Sequence, residues 1–419
     1  MLEETSVFGS ELRRARIAAG LTLTELSALV HYSKGQLSKV ETGHKRPAPE
    51  LARLCDAALN TRGALISLVP TGRGTEVTPP GGPREVPSAA PGRRQVLTAG
   101  AVSVLGAAAP GGRHPEDWPA DGTLLDASRA LFDQFRRLGQ TAPPAAVLPA
   151  LAEQTRTLRA LAARCGPRTA HGLLTLCARY AEFAGWMAQE AGAVEEALRW
   201  TDHAVELAAA TGDESLASYA LVRRGLVAYY RGDAAGTVAL VQGVRSRRLP
   251  HRVLGLAAQR EAQGHALAGD QDTCMRELDR ARALLSREAP DGAGPVLGTS
   301  HLTDPVAMTT GWCLLDLGRP RQAAKVLDRE IELIPPTAMR TRARYGARQA
   351  LAHALAGEIE HACELTRGML SAAHTVDSAT IALDLRRLSH TLGRHQRNYA
   401  VRELAPLLAF ALSPGATAR

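Results

Sequence analysis

The stretch Ser-Lys-Gly-Gln-Leu-Ser-Lys-Val-Glu-Thr-Gly-His-Lys-Arg, residues 33–46, decides the fold of the N-terminal region. Ser33 is a favourable N-cap for a helix whose inward face carries Leu37 and Val40, and Gly43 stops that helix. Three of the four lysines in the chain lie here, whereas arginine supplies the positive charge elsewhere. This bias indicates selection for particular side chains, although three lysines can also cluster by chance.

Further helices surround this stretch. Residues 7–19 have helical periodicity and end at Gly20, and Thr22 or Thr24 can cap a short second helix. That second helix carries Leu26, Leu29 and Val30, and residues 49–59 supply a fourth helix that closes the core. Two short helices joined by a tight turn form a helix-turn-helix, so we predict a five-helix domain of this kind at residues 6–69.

Several motifs in this domain resemble the phage-repressor-like (XRE, Cro/CI-type) DNA-binding domain over about 60 residues. They are Leu12-Arg13-x-x-Arg16, Gly20-Leu21-Thr22, Leu26-Ser27, Ser33, Leu37-Ser38-x-x-Glu41-x-Gly43 and Pro47. The resemblance implies that the third helix enters the major groove of DNA and that Arg16 pairs with Glu41 inside the domain. One departure is Leu23, where such domains usually carry glutamine, so the sequence preference does not transfer.

Carried over by position, two groups of residues contact DNA. The base-reading face is formed by Lys34, Gly35 and Lys39. The residues near phosphates are Ser33, Gln36, Ser38, His44, Lys45 and Arg46. A helix-turn-helix that makes only protein contacts is the alternative.

Composition favours an all-α protein. The chain has 419 residues, enough for two or three domains, and apolar residues make up 45% of it while aromatics make up only 4%. The formal charge of +8 is compatible with a polyanionic partner. The six cysteines lack the spacing of a metal site, which indicates free, buried thiols. The sequence shows no signal peptide and no membrane span, so we expect a cytoplasmic protein with no membrane partner.

Residues 70–121 are rich in Pro, Gly, Thr and Ser and predict a flexible linker that uncouples two domains mechanically. Within it, Arg93-Arg94 and the apolar run 98–109 resemble a twin-arginine export signal. The alternatives are a short helix that docks on the second domain or an unselected remnant.

Residues 122–412 contain an internal repeat. Turn glycines recur about every 37 to 49 residues, at Gly192, Gly232, Gly269, Gly318 and Gly357. Small residues stand seven positions before each glycine and five positions after it. This offset resembles a degenerate tetratricopeptide repeat (TPR), which implies a superhelix of helix pairs, extended by helices at 123–138, 144–164, 377–394 and 398–412. Residues 289–303 predict a mobile loop.

The repeat register predicts a concave groove lined by the first helix of each pair. Its candidates are Arg179, Glu182, Trp186, Gln189, Tyr219, Val222, Leu226, Tyr229, Gln259, Gln263, Trp312 and Tyr345. Aromatic and amide side chains suit a peptide or another extended ligand. The alternative is that Trp186 and Trp312 are core residues. If Arg224 and Glu261 face the groove instead, the register shifts by one residue.

We find no catalytic, cofactor or metal motif and expect no enzyme.

A helix-turn-helix joined to a TPR-like domain resembles the peptide-sensing quorum regulators and the XRE-TPR regulators of antibiotic production and development in high-GC filamentous bacteria. The composition is closer to the second, actinobacterial type. We therefore predict a homodimeric, sequence-specific transcription regulator of secondary metabolism or development. Its TPR-like domain would bind a peptide, small molecule or protein. The rival hypothesis is a protein-interaction adaptor localised on DNA.

Overall fold

The structure is a computed structural model that describes residues 3–69, 122–245, 248–287 and 297–413. Within these ranges the chain forms 18 α-helices and no β-strand, which confirms the all-α class. The predicted linker at 70–121, with its Arg93-Arg94 segment, lies outside the described residues, as do residues 288–296 of the predicted loop. No helix in the described ranges is long and apolar enough to cross a membrane.

The N-terminal unit, which we call the head, comprises residues 3–69. Its helices are α1 (Glu3–Ala18), α2 (Leu23–Val30), α3 (Lys34–Glu41) and α4 (Pro49–Leu59), followed by a 3₁₀ turn at Ile66–Leu68. Thr22 and Glu25 form a capping box on α2. Ser33 Oγ accepts a hydrogen bond from the Gln36 amide at 3.3 Å, so the predicted cap of α3 is present.

The core of the head brings the four helices together around buried apolar side chains, which include Phe8, Leu12, Leu26, Val30, Leu37, Val40, Leu51 and Leu54. Arg16 donates to both carboxylate oxygens of Glu41, at 2.6 and 2.9 Å, as the family resemblance implied. Leu29 does not join this core. It is 55% exposed because the buried face of α2 is centred on Leu26 and Val30.

Residues 122–413, the repeat domain, form seven consecutive helix pairs. The first three are α5 (Thr123–Thr141) with α6 (Pro144–Ala162), α7 (Pro167–Glu190) with α8 (Val194–Thr211), and α9 (Glu214–Tyr230) with α10 (Ala234–Gln242). The next are α11 (His251–Ala268) with α12 (Gln271–Leu285), and α13 (Pro305–Asp316) with α14 (Pro320–Glu332). The last are α15 (Met339–Leu355) with α16 (Ile359–Val376), and α17 (Ala379–Leu392) with α18 (Tyr399–Ala411).

The five turn glycines predicted from the repeat join α7 to α8, α9 to α10, α11 to α12, α13 to α14 and α15 to α16. All five have positive φ, between 71° and 91°. The ten small residues in register with them are all buried. A Cβ at Gly185 would lie 3.2 Å from the Ala197 carbonyl oxygen, and one at Gly311 would lie 2.9 Å from Leu327. The close helix crossings predicted at these positions are therefore confirmed.

The repeat domain closes on itself, because α15 packs against α5 and α17 packs against α7. Arg340 on α15 donates to the carbonyl oxygens of Gly139 at 2.7 Å and Ala142 at 2.6 Å. Both Arg340 and Arg344 also pair with Glu190 at the end of α7. The first helices of the pairs consequently surround an interior space instead of an open groove.

The head packs against the turns of three successive pairs. A Cβ at Gly269 would lie 2.7 Å from Gly63 Cα, and one at Gly318 would lie 2.3 Å from the Arg53 carbonyl oxygen. The third turn, at Gly357, lies against the His31 ring. Apolar residues of the two units also belong to one continuous buried cluster. The head and the repeat domain are therefore in direct contact in this structure, and mechanical uncoupling by the linker stays a prediction.

Charged side chains join the same interface. Glu50 on α4 accepts a hydrogen bond from Arg387 on α17 at 3.2 Å. The Arg394 guanidinium lies 4.1 Å from the centre of the Tyr32 ring, a cation–π arrangement. Burial, followed by the charges of Arg321 and Arg394, lowers the pKa of His31 below its ordinary value. The docked head thus favours the neutral imidazole.

Two alanine substitutions distinguish the effect of losing head docking from the effect of straining a turn. Gly318→Ala and Gly232→Ala each place alanine at positive φ, 71° and 73° respectively, which costs about 1–2 kcal/mol. Only the Gly318 side chain would also collide with the head, since nothing lies within 4 Å of a Cβ at Gly232. We expect Gly318→Ala alone to increase the radius of gyration in small-angle X-ray scattering. Equal scattering from both variants would contradict the docking described here.

Candidate functional site

Helix α3 and the turn after it form an accessible surface of the head. Of the nine residues predicted to contact DNA, none is buried. Exposed residues are Ser33, Lys34, Gly35, Lys39, His44, Lys45 and Arg46, and half-buried ones are Gln36 and Ser38. Leu37 and Val40 face the core, so the opposite side of the short helix points outward.

The local geometry leaves this surface strongly cationic. Lys34, Lys39 and Lys45 have no carboxylate within 4 Å in the described ranges, so their ammonium groups are free to bind an anion. Glu41, which is the acidic residue of α3, is 5% exposed because Arg16 holds it inside the head. The negative charge of α3 is therefore buried and neutralised, whereas its positive charge is exposed to solvent.

The turn that follows α3 is tied to the helix. The Lys45 amide donates to the Lys39 carbonyl oxygen at 3.0 Å, and His44 Nδ1 lies 2.9 Å from Thr42 Oγ1. Gly35 has open space where a Cβ would be. Leu23, which departs from the family pattern, is half-buried and packs on the core at the first position of α2. It supports the helix and offers no hydrogen bond to DNA.

Comparison with known proteins agrees with this geometry for the head. A family model of the helix-turn-helix domain matches residues 7–68. A search of curated proteins finds no match to the chain. The helix-turn-helix domain indicates a DNA-binding regulator, and the surface of α3 is the candidate nucleic-acid interface.

The repeat domain contains a partly open cavity of about 180 Å³, which we call the internal cavity. Helices α5, α7, α9, α11, α13 and α15 contribute to its wall, together with residues 297–302. Its aromatic lining residues are Phe132, Phe183, Trp186, Tyr219, Trp312 and Tyr345. Its charged lining comprises Arg136, Arg179, Arg223, Arg260, Arg340, Arg344 and one carboxylate, Glu182.

Ten of the twelve predicted groove residues line this cavity: Arg179, Glu182, Trp186, Tyr219, Val222, Leu226, Gln259, Gln263, Trp312 and Tyr345. Gln189 and Tyr229 do not. Gln189 accepts a hydrogen bond from Arg223 at 3.2 Å, and Tyr229 lies behind the Trp312 ring. Trp312 is only 5% exposed, so it is both a core residue and a wall residue.

The predicted register along the helices is consistent with this placement. Arg224 pairs with Asp202 at the surface, and Glu261 pairs with Arg245 at 2.8 Å, so neither lines the cavity. Five of the six arginines in the wall were not predicted from the sequence. A signal for some of them was present, since Arg223 follows Tyr219 by four positions and therefore shares its helix face.

Residues 297–302 cover one side of the internal cavity. Arg252 donates to the carbonyl oxygens of Leu297 at 2.6 Å and Thr299 at 2.9 Å. Arg136 donates to the Gly298 carbonyl oxygen at 3.3 Å and to Ser300 Oγ at 3.0 Å. The described part of the predicted mobile loop is therefore held down by two arginines.

A buried chain of polar contacts, which we call the polar chain, runs from the cavity wall to the head. Trp312 Nε1 donates to the Tyr229 hydroxyl, which donates to Asp316. Arg387 then lies 3.6 Å from Asp316 and 3.2 Å from Glu50 on α4. Burial and the Asp316 charge raise the pKa of Tyr229, so its hydroxyl stays protonated as a donor.

Alanine substitutions test the nucleic-acid interface. Lys34→Ala and Lys39→Ala should each weaken binding to a selected DNA site by about 1–3 kcal/mol and relax base preference at one position. Lys325→Ala is the matched control, because Lys325 is exposed on α14 in the repeat domain. Fluorescence anisotropy on specific and scrambled duplexes measures both effects. Equal losses on every sequence would instead assign these lysines to phosphate contacts.

Proposed function

We propose that the protein is a cytoplasmic, sequence-specific transcription regulator of the XRE type whose repeat domain senses a ligand. The head reads DNA through α3, and the repeat domain resembles a TPR superhelix that holds the sensor cavity. The polar chain carries this proposal, since it connects the cavity wall to helix α4 of the head. A ligand that alters the Trp312 environment would change how firmly the head is held.

The proposed operating form is a homodimer. A single helix-turn-helix contacts only a few base pairs, and two heads reading half-sites one helical turn apart provide the missing affinity. On the last helix, α18, Leu407 is 49% exposed and Phe410 is 60% exposed, three positions apart on one face. An apolar face of this kind supports a symmetric contact with a second copy of the chain.

The proposed biological setting rests on sequence resemblance. An XRE-type head, a TPR-like domain and a composition with four lysines favour a regulator of secondary metabolism or development in a high-GC bacterium. The six cysteines in the described ranges are all free, which agrees with a reducing compartment. A protein-interaction adaptor remains the rival, and the measurement of DNA occupancy separates the two.

Genome-wide DNA occupancy in the native cell tests the proposed regulator. We expect discrete sites that share a palindromic motif, with two chains bound per site in sedimentation of the protein–DNA complex. Phe410→Glu should reduce affinity for the full palindrome while leaving half-site affinity unchanged, because it removes only the contact between copies. Occupancy without discrete sites would contradict the regulator hypothesis and favour the adaptor.

A tyrosine pair tests the polar chain. Tyr229→Phe removes a hydroxyl that bridges Trp312 and Asp316 and leaves the buried Asp316 without a donor, at a cost of about 1–3 kcal/mol. Tyr230→Phe is the control, because the Tyr230 hydroxyl is buried without a partner in the described ranges. We expect faster amide hydrogen exchange in α4 for Tyr229→Phe only. Unchanged exchange in α4 would show that the chain does not couple the cavity to the head.

A further inference from the structure

Two of the six arginines in the cavity wall, Arg136 and Arg260, have no carboxylate counter-ion among the described residues. The other four wall arginines pair with carboxylates: Arg179 with Asp213 at 3.2 Å, Arg223 with Glu182 at 3.4 Å, and Arg340 and Arg344 with Glu190. Arg136 donates to residues 298 and 300. Arg260 donates to the neutral amide oxygen of Gln263, and no carboxylate lies within 4 Å of it in the described ranges.

The surroundings of Arg260 penalise its unpaired charge. Burial lowers the pKa of Arg260 to about 10, and the nearby Arg223 contributes in the same direction. The Arg260 Nε atom is shielded from solvent and has no hydrogen-bond partner within the described residues. Arg260 is half-buried, so its uncompensated guanidinium is partly desolvated, and an anion bound beside it would offset that cost.

Other donors in the same wall are also unsatisfied. Arg179 Nε and Nη1 and Gln259 Nε2 are shielded from solvent and have no acceptor among the described residues. These atoms belong to α7 and α11, the helices on either side of α9. With six arginines and one carboxylate, the wall carries an excess of positive charge, which is the polarity that recognises a carboxylate or a phosphate.

The volume and the aromatic lining of the cavity limit the kind of molecule that can bring an anionic group to this wall. The cavity volume of about 180 Å³ is close to the roughly 150 Å³ of a cavity that holds one benzene molecule. The contacts of Arg340 with α5 close the ring of helices, and Arg252 holds residues 297 and 299 over the space. Six aromatic side chains supply flat apolar surface. A cavity of this volume suits a small molecule better than the extended peptide expected from sequence.

We propose that the internal cavity binds a small organic monoanion, an aromatic carboxylate or a molecule of similar size, whose acidic group pairs with Arg260. The ring of this ligand packs on the aromatic wall that includes Trp186 and Trp312. The inference deepens the proposed sensor role and rests on it for its biological meaning. The ligand's acidic group neutralises Arg260, and its ring contacts the residue where the polar chain begins.

Binding of phenylacetate to the full-length protein tests this inference, with phenylacetamide as a neutral probe of the same shape. Calorimetry and tryptophan fluorescence should show phenylacetate binding about tenfold or more tightly than phenylacetamide, because only the carboxylate makes charge-assisted hydrogen bonds. Arg260→Gln should abolish that preference, and Arg260→Lys should keep part of it. Arg224→Gln, which alters a surface ion pair on α9, should leave both affinities unchanged.

Three results would overturn the inference: equal affinity for the two probes, an undiminished preference in Arg260→Gln with unchanged melting temperature, or no phenylacetate binding up to about 10 mM. Binding of inorganic phosphate alone would also overturn it, since the aromatic wall would then play no part. Operator binding by the same preparations separates the two proposals. Intact operator binding without phenylacetate binding rejects only this inference, and phenylacetate binding without specific DNA binding rejects only the proposed regulator.

Discussion

A single buried carboxylate holds the repeat domain in its closed form. Glu190 is 1% exposed and ends α7, where the helix dipole disfavours negative charge. Burial would raise the pKa of Glu190, but Arg344, Arg340 and a hydrogen bond from Ser378 outweigh it and hold the pKa below its ordinary value. These partners lie on α15 and just before α17, so the ion cluster joins an early helix pair to the last two. A stack that might have stayed an open superhelix becomes a ring, and the ring creates the internal cavity.

Closure of the ring also fixes the surface on which the head rests. The turns at Gly269, Gly318 and Gly357 belong to three neighbouring pairs, and their spacing is set by the helix crossings beneath them. The turns at Gly269 and Gly318 meet the backbone of the head, and the turn at Gly357 meets the His31 ring. Small rotations between pairs would alter all three contacts together, because the packed turns tolerate little compression. The head is therefore sensitive to the shape of the whole ring, and the polar chain adds one direct route from the cavity.

Much of this architecture follows from sequence patterns, and its limits have physical causes. The caps at Thr22 and Ser33, the turn glycines and the small residues at helix crossings depend on neighbours within one helix pair, so they could be predicted. Ring closure and head docking depend on residues more than 100 positions apart, such as Arg340 with Gly139. No local pattern carries that information. The groove residues were placed by register, but the wall arginines were missed, because a helical arginine usually lies in solvent and only closure buries it.

Gly35 is a position of the interface at which substitutions can accumulate during evolution. It occupies the outer face of α3, and a Cβ there would meet open space, so the fold does not require glycine at this position. Side chains of many sizes could replace it without disturbing the core, the caps or the docking surface. New base contacts could then arise by single substitutions that leave the folding free energy almost unchanged. Substitutions at Gly35 can therefore change the surface that α3 presents without altering the wall of the internal cavity, since the two lie in separate parts of the fold.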